Sequence, residues 1–190
     1  MMRLRAPAAV LGAVLLLAAC SEEEAPEPLG PVALPENLCD AVPSSAVERW
    51  ALHEVSHETT DEGEVATATC EMSGTFAGRP VGLQVSLDSY GAADDSAARD
   101  DVIERLAQEC ATLEARAVGT FSDDDHECTD EARDDDARRT TMETLYRSLP
   151  ARGIARVAMD HHGDGWQIVP AEVVAIAGHL ALTAPEELVG

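Results

Sequence analysis

Hydrophobic and polar residues alternate most regularly between residues 65 and 90. From Val81 to Leu87 every second residue is hydrophobic, and the run from Ala68 to Met72 follows the same rule. A period of two places such residues on one face of a strand. Gly78 lies between the two runs and Tyr90 ends the second. The pattern therefore predicts an antiparallel hairpin with one buried and one solvated face.

The segment over residues 92–115 has a helical period instead. Apolar residues recur there at i, i+4, i+8 and i+11, namely Val102, Leu106, Cys110 and Leu113. This spacing forms one stripe along an amphipathic helix. We therefore expect a helix with a single buried face directly after the hairpin.

Shorter patterns predict the remaining elements. They are a short helix ending near Leu52, a loop over 57–64, an acidic loop over 122–136, a helix over 138–149, a strand over 153–161, a turn at 163–165, a strand over 166–169 and a buried helix from Pro170. In this order helix–hairpin–helix occurs twice, and the halves meet near residue 125. The predicted fold class is α+β, an antiparallel sheet with helices packed on one face.

Residues 1–19 differ from the rest of the chain. A basic start with Arg3 and Arg5 precedes an almost unbroken apolar run from Ala8 to Ala19. This run is shorter than the roughly 20 apolar residues of a membrane-spanning helix. It has the order of parts found in a secretory signal, so we expect export and removal of residues 1–19.

The end of this segment, Leu17-Ala18-Ala19-Cys20, resembles the lipobox of bacterial lipoproteins. The resemblance implies that Cys20 is lipidated, with acyl groups such as palmitate, and becomes the mature N-terminus. The lipid on Cys20 would then hold the protein to the extracytoplasmic face of the cell membrane. Residues 20–36 are acidic and contain proline, which predicts a solvated tether. Residues 37–190 suit a single extracytoplasmic domain.

Four further cysteines remain when Cys20 is set aside. They are Cys39, Cys70, Cys110 and Cys128. An even number in an exported domain indicates disulfide bonds, for which three pairings exist. We favour Cys39–Cys70 and Cys110–Cys128, because each pair joins neighbouring predicted elements. A zinc site of four thiolates is the alternative, and the lack of any C-x-x-C spacing counts against it.

The composition excludes several classes of function. The formal charge is −23, and it becomes −25 when Arg3 and Arg5 leave with the signal. Such a charge repels nucleic acid and anionic head groups, so we expect no nucleic-acid partner. The chain contains no lysine, which excludes lysine Schiff-base chemistry and a P-loop. Its content of Ala, Arg, Asp, Gly and Val resembles that of actinobacterial proteins.

Residues 53–57, His-Glu-Val-Ser-His, match the H-E-x-x-H pattern of zinc hydrolases. On a helix, His53 and His57 lie one turn apart and bind zinc, while Glu54 activates the metal-bound water. The polar residues 58–61 and the position of the motif at the end of a predicted helix count against this geometry. A zinc-dependent hydrolase is therefore the alternative function, with His53 and His57 as its candidate ligands.

Two other polar patterns bear on metal binding. A third zinc ligand would have to come from His126 or from the His161–His162 pair, which no pattern brings to the motif. Residues 160–165 match the opening of a calcium loop, but the twelfth position is Ala171 instead of glutamate. A hairpin turn explains the same residues, so no metal site is assigned.

Part of the chain resembles small actinobacterial envelope lipoproteins that carry a domain of unknown function. The likeness covers residues 36–115 and consists of the Leu38-Cys39-Asp40 start, Cys70 in the first strand and the alternating strand Val81–Leu87. These relatives often have an aromatic residue two positions after the strand cysteine, where this chain has Met72. The resemblance implies tethered binding or an envelope role, and it brings no catalytic residues.

The sequence therefore predicts a lipid-anchored extracytoplasmic module that binds a small ligand or an envelope protein. It is expected to work without enzymatic activity. No catalytic or cofactor-binding residue is assigned, and no cofactor is expected.

Overall fold

The structure, a computed structural model, describes residues 27–117, 119–134, 139–162 and 169–188. The signal, Cys20, the predicted turn at 163–165 and most of the predicted strand at 166–169 lie outside the described residues.

Seven strands and three α-helices make up the described chain. Helix α1 spans Ser44–Arg49 and follows a 3-10 turn at Leu38–Ala41. Helix α2 spans Asp95–Arg116, and α3 spans Val169–Leu182. The strands are β1 His53–Asp61, β2 Val65–Phe76, β3 Arg79–Tyr90, β4 Thr120–Asp123, β5 Glu127–Asp134, β6 Arg139–Ser148 and β7 Gly153–His162.

All seven strands form one antiparallel sheet in the order β1-β2-β3-β7-β6-β5-β4. Strands β1–β3 form one meander and β4–β7 a second, and the two meanders meet where β3 pairs with β7. The predicted α+β class and the antiparallel sheet are confirmed.

The segments with the clearest patterns fold as predicted. Strands β2 and β3 form the hairpin, and both turn residues, Ala77 and Gly78, have positive φ, as a type I′ hairpin turn requires. Helix α2 starts after Asp94, whose side chain accepts hydrogen bonds from the backbone N–H groups of Ser96 and Ala97. This cap satisfies two donors that the first helical turn leaves free.

Three predictions of local structure are wrong. Residues 57–61, predicted as loop, belong to β1, and the predicted acidic loop contains β5. The predicted helix over 138–149 is strand β6, so a second helix–hairpin–helix half does not form. Met142 and Leu145 would share one face of a helix, but three positions apart on a strand they point to opposite faces. Both are buried because β6 is covered on both faces.

One face of the sheet, termed the core face, carries the larger hydrophobic cluster. Its central residues are Val85 on β3 and Val157 on β7, which are paired across the two strands. Trp50, next to α1, and Ile176 on α3 pack into the same cluster. Burial of such side chains supplies most of the favourable free energy of folding.

Helix α2 packs on the opposite face, termed the outer face. Its Leu106, Cys110 and Leu113 form a second cluster with Leu145 and Ile154. Ile154 alternates along β7 with the core-face residues, so its side chain lies on the other side of the sheet. The prediction that the helices pack on one face therefore fails for α2.

The favoured disulfide pairing is confirmed. The sulfur atoms lie 2.10 Å apart in Cys39–Cys70 and 2.05 Å apart in Cys110–Cys128. The first bridge links the 3-10 turn to β2 on the core face, and the second links α2 to β5 on the outer face. The four sulfur atoms therefore cannot surround one zinc ion.

The described part of the predicted tether is attached to the domain. Leu29 and Ala92 exchange two backbone hydrogen bonds, at 2.7 and 2.9 Å. The backbone N–H of Val32 donates to Ser89 Oγ, and the Thr59 hydroxyl donates to the carbonyl of Pro35. The prediction of a solvated tether over 20–36 is thus wrong for residues 29–36. None of the described helices has the length and apolar character needed to cross a bilayer.

Candidate binding site

A cleft opens on the outer face beside the C-terminal end of α2. It has a volume of about 470 Å³ and lies over β3, β7, β6 and β5. Gly82 and Ala158 line its floor, and Leu113 and Arg116 of α2 line one wall. A Cβ added at Gly82 would meet only the Cβ of Asp160, at 3.9 Å. The cleft exists because α2 ends here and the floor residues are small.

Two ion pairs stand in this cleft. Arg116 Nη2 donates to both carboxylate oxygens of Glu143, at 2.7 Å each. Arg139 donates through Nε and Nη2 to the two carboxylate oxygens of Asp160. About half of each arginine side chain is exposed. Exposed pairs of this kind add little to stability, but they fix the positions of charged groups around the opening.

A second cavity of about 360 Å³ continues the cleft toward β1. Glu58 and Glu71 line it, together with Arg156. Gln84 and Ala158 line both cavities, so the two lie side by side on the outer face. We call the two cavities together the outer-face groove.

Two buried atoms at the groove have no hydrogen-bond partner in the part of the chain that the structure describes. One is an acceptor, Asp130 Oδ1, and the other is a donor, Arg156 Nε. Arg156 Nη2 donates to Glu109 at 2.9 Å, while its Nε forms an ion pair with Glu143 Oε1 at 3.5 Å but makes no hydrogen bond to it. Buried polar atoms without a hydrogen bond are rare and costly in proteins, so a bound molecule that donates to Asp130 Oδ1 and accepts from Arg156 Nε would remove this cost.

The H-E-x-x-H residues lie on the edge strand β1 and not on a helix. His53 pairs with Ser73 and its Nε2 lies 2.9 Å from Ser73 Oγ, whereas His57 pairs with Cys70. Ser73 and Cys70 are three positions apart on β2, so they face opposite sides of the sheet. A register shift between Glu54 and Ser56 produces this change of face. His53 and His57 therefore do not converge on one metal position.

Glu54 has a structural environment of its own. Its carboxylate accepts a hydrogen bond from Asn37 Nδ2 at 3.0 Å and lies 2.7 Å from His57 Nδ1. Both contacts lower the pKa of Glu54, and the hydrogen bond from Asn37 has the larger effect. The ionised side chain thereby ties β1 to the residue that caps the 3-10 turn.

The other candidate ligands are dispersed. His126 precedes β5, far across the sheet from β1, and its Nδ1 lies 2.8 Å from Arg147 Nη2. His161 is buried on the core face, and burial lowers its pKa, with smaller contributions from His162 and Arg79. No three His, Cys, Asp or Glu side chains within the described ranges converge on a metal position.

The match to the opening of a calcium loop begins on strand β7. Asp160 lies on β7 and is paired with Arg139, while Ala171 lies on α3. Residues 163–165 lie outside the described residues.

The groove residues were missed by reasoning from the sequence. Gln84 and Arg156 come from different strands, and Asp130 and Glu143 lie in segments predicted as loop and helix. No local motif joins them, because the register of four strands brings them together. The available signal was the period of two on β3, which marks Gly82 and Gln84 as outward-facing.

Comparison with known proteins found no significant match. No protein-family model matches the chain, and neither a curated protein nor a solved structure resembles it significantly.

Proposed function

We propose that the protein is a lipid-anchored extracytoplasmic module that binds a small polar ligand in the outer-face groove. The observation that carries this proposal is that two buried atoms there, Asp130 Oδ1 and Arg156 Nε, have no hydrogen-bond partner within the described part of the chain. A ligand that offers both a donor and an acceptor satisfies the two atoms together. Hydroxyl and amide groups have this property, so the ligand class is a hydroxyl- or amide-rich small molecule.

The shape of the groove supports binding without chemistry. Its floor is made by small side chains, Gly82 and Ala158, on adjacent strands of a rigid sheet. Four of its charged groups form two ion pairs, Arg116 with Glu143 and Arg139 with Asp160. Such pairs orient a ligand through hydrogen bonds, as in preformed polar sites.

The disulfides and the attached N-terminal segment support the anchored part of the proposal. Two buried disulfide bonds suit an oxidising compartment outside the cytoplasm. Leu29 is fixed to the domain, and nine residue steps separate it from Cys20. An extended chain covers about 3.3–3.6 Å per residue, so a lipid on Cys20 holds the domain within roughly 30 Å of the membrane surface.

Binding is tested by NMR titration of the mature chain with two defined probes. One is an N-acetylated alanine tripeptide amide, and the other is maltotriose. We expect at least one probe to shift the backbone amide signals of Gln84, Asp130 and Arg156 and to saturate. Shifts confined to other surfaces, or none at millimolar probe, would contradict the proposal.

A further inference from the structure

His161 is a buried histidine on the core face of the sheet. Only 2% of its surface is exposed, and neither Nδ1 nor Nε2 has a hydrogen-bond partner among the described residues. Phe76 packs against the ring, with the two ring centroids 5.7 Å apart. A neutral imidazole always has one ring nitrogen with a free lone pair, so a ligand atom is available inside the core face.

Two methionines lie beside this ring on the same face of the sheet. Met159 is two residues before His161 on β7. Met142 on β6 is the direct cross-strand partner of Met159. Both methionines are 3% exposed. Directly opposite residues have Cβ atoms about 4.5–5.5 Å apart, and diagonal neighbours about 7–8 Å. The two thioether side chains and the imidazole therefore occupy one small region.

We propose that Met142, Met159 and His161 form a binding site for a soft monovalent metal ion, Cu(I). Thioether sulfur is a soft ligand that favours Cu(I), and imidazole nitrogen suits copper as well. The proposed event is binding of Cu(I) by three neutral ligands, with no change of oxidation state.

The remaining methionines of the chain provide a control for the proposal. Of the five methionines in the chain, Met1 and Met2 belong to the predicted signal. Met72 lies in the same hydrophobic cluster but on β2, opposite Leu83. Strand β3 separates it from β7. Met72 is therefore a matched internal control: it is equally a core methionine, but it is two strands away from Met159.

The test uses the mature, disulfide-bonded protein under anaerobic conditions. Cu(I) is supplied with ascorbate, and a chromogenic Cu(I) chelator, bathocuproine disulfonate, competes for it. We expect one Cu(I) per chain. Met142→Leu, Met159→Leu and His161→Phe should each weaken binding at least tenfold, whereas Met72→Leu should leave it unchanged. X-ray absorption of the loaded protein should show sulfur and nitrogen ligands that diminish in the variants.

Variants are compared only after circular dichroism and urea unfolding show that they fold. If a single variant does not fold, X-ray absorption on the wild type decides between a sulfur-containing site and a surface site. Absence of Cu(I) binding would overturn the proposal. So would equal weakening by Met72→Leu, or loss of binding in His162→Gln with retention in His161→Phe.

Discussion

Removal of each disulfide bond tests how much that bond contributes to the stability of the folded protein. The Cys39–Cys70 bridge spans 31 residues and the Cys110–Cys128 bridge spans 18. In the chain-entropy account, a bridge stabilises by restricting the unfolded chain, and its effect grows with the logarithm of the loop length. The double variants Cys39→Ala/Cys70→Ala and Cys110→Ala/Cys128→Ala remove the two restraints separately.

The expected losses follow from the loop lengths. The entropy relation gives about 3.7 kcal/mol for the 31-residue separation and about 3.2 kcal/mol for the 18-residue separation. All four cysteines are buried, so truncation also removes packing, which adds to these losses. Each loss is a large part of the roughly 5–15 kcal/mol that stabilises a typical domain.

Urea unfolding of the oxidised wild type and both double variants at neutral pH measures these losses. We expect similar reductions for the two variants, since the lengths enter only as a logarithm. Loss of Cys110–Cys128 should additionally raise amide hydrogen exchange in α2, which forms the groove wall. Losses below about 1 kcal/mol in both variants would refute the reasoning, because the bridges would then not restrict the unfolded chain as the relation requires.

Two further predictions concern the anchor and a partly buried carboxyl group. Cys20→Ala should move the protein from the membrane fraction to the soluble fraction of producing cells, whereas a variant that still sediments with membranes would contradict lipid anchoring. Burial, the largest cause, raises the pKa of Asp88, although the Thr67 hydroxyl donates to it at 2.9 Å. The folded state therefore holds this proton more strongly than the unfolded state, and stability is lost as pH rises from about 3.8 through the folded-state pKa. Asp88→Asn should lack this loss, so its stability relative to the wild type should increase over that range and stay level at neutral pH. Urea unfolding at several pH values measures the difference in the free energy of unfolding between Asp88→Asn and the wild type. If this difference does not vary with pH, the carboxyl group does not titrate in this way.

The sequence could predict elements whose burial is one-sided. The hairpin β2–β3 and helix α2 each bury one face, so their periods of two and of 3.6 appear directly in the sequence. Strand β6 is covered on both faces, and its Met142 and Leu145 imitate a helical stripe. Strand β1 buries no residue at all, so it gives no hydrophobic alternation.

The site could not be predicted because it depends on long-range register. Asp130 and Arg156 approach the groove only through the order β7-β6-β5, which no local pattern specifies. The H-E-x-x-H match, in contrast, indicates a metal site that the register of β1 does not form. It is a local motif whose chemistry needs a helix, and the one-residue register shift in β1 places His53 and His57 on opposite faces.

The most direct test of the proposed function is to fill the groove without disturbing the fold. Gly82 lies in a strand, and an added Cβ meets no backbone there, so Gly82→Val should fold normally and occupy the floor of the cleft. Thr75→Val, on the exposed side of β2 and away from the groove lining, is the matched control. In the same probe titration, Gly82→Val should weaken binding at least tenfold while Thr75→Val matches the wild type. Equal affinity of all three proteins would show that the groove is not the binding site.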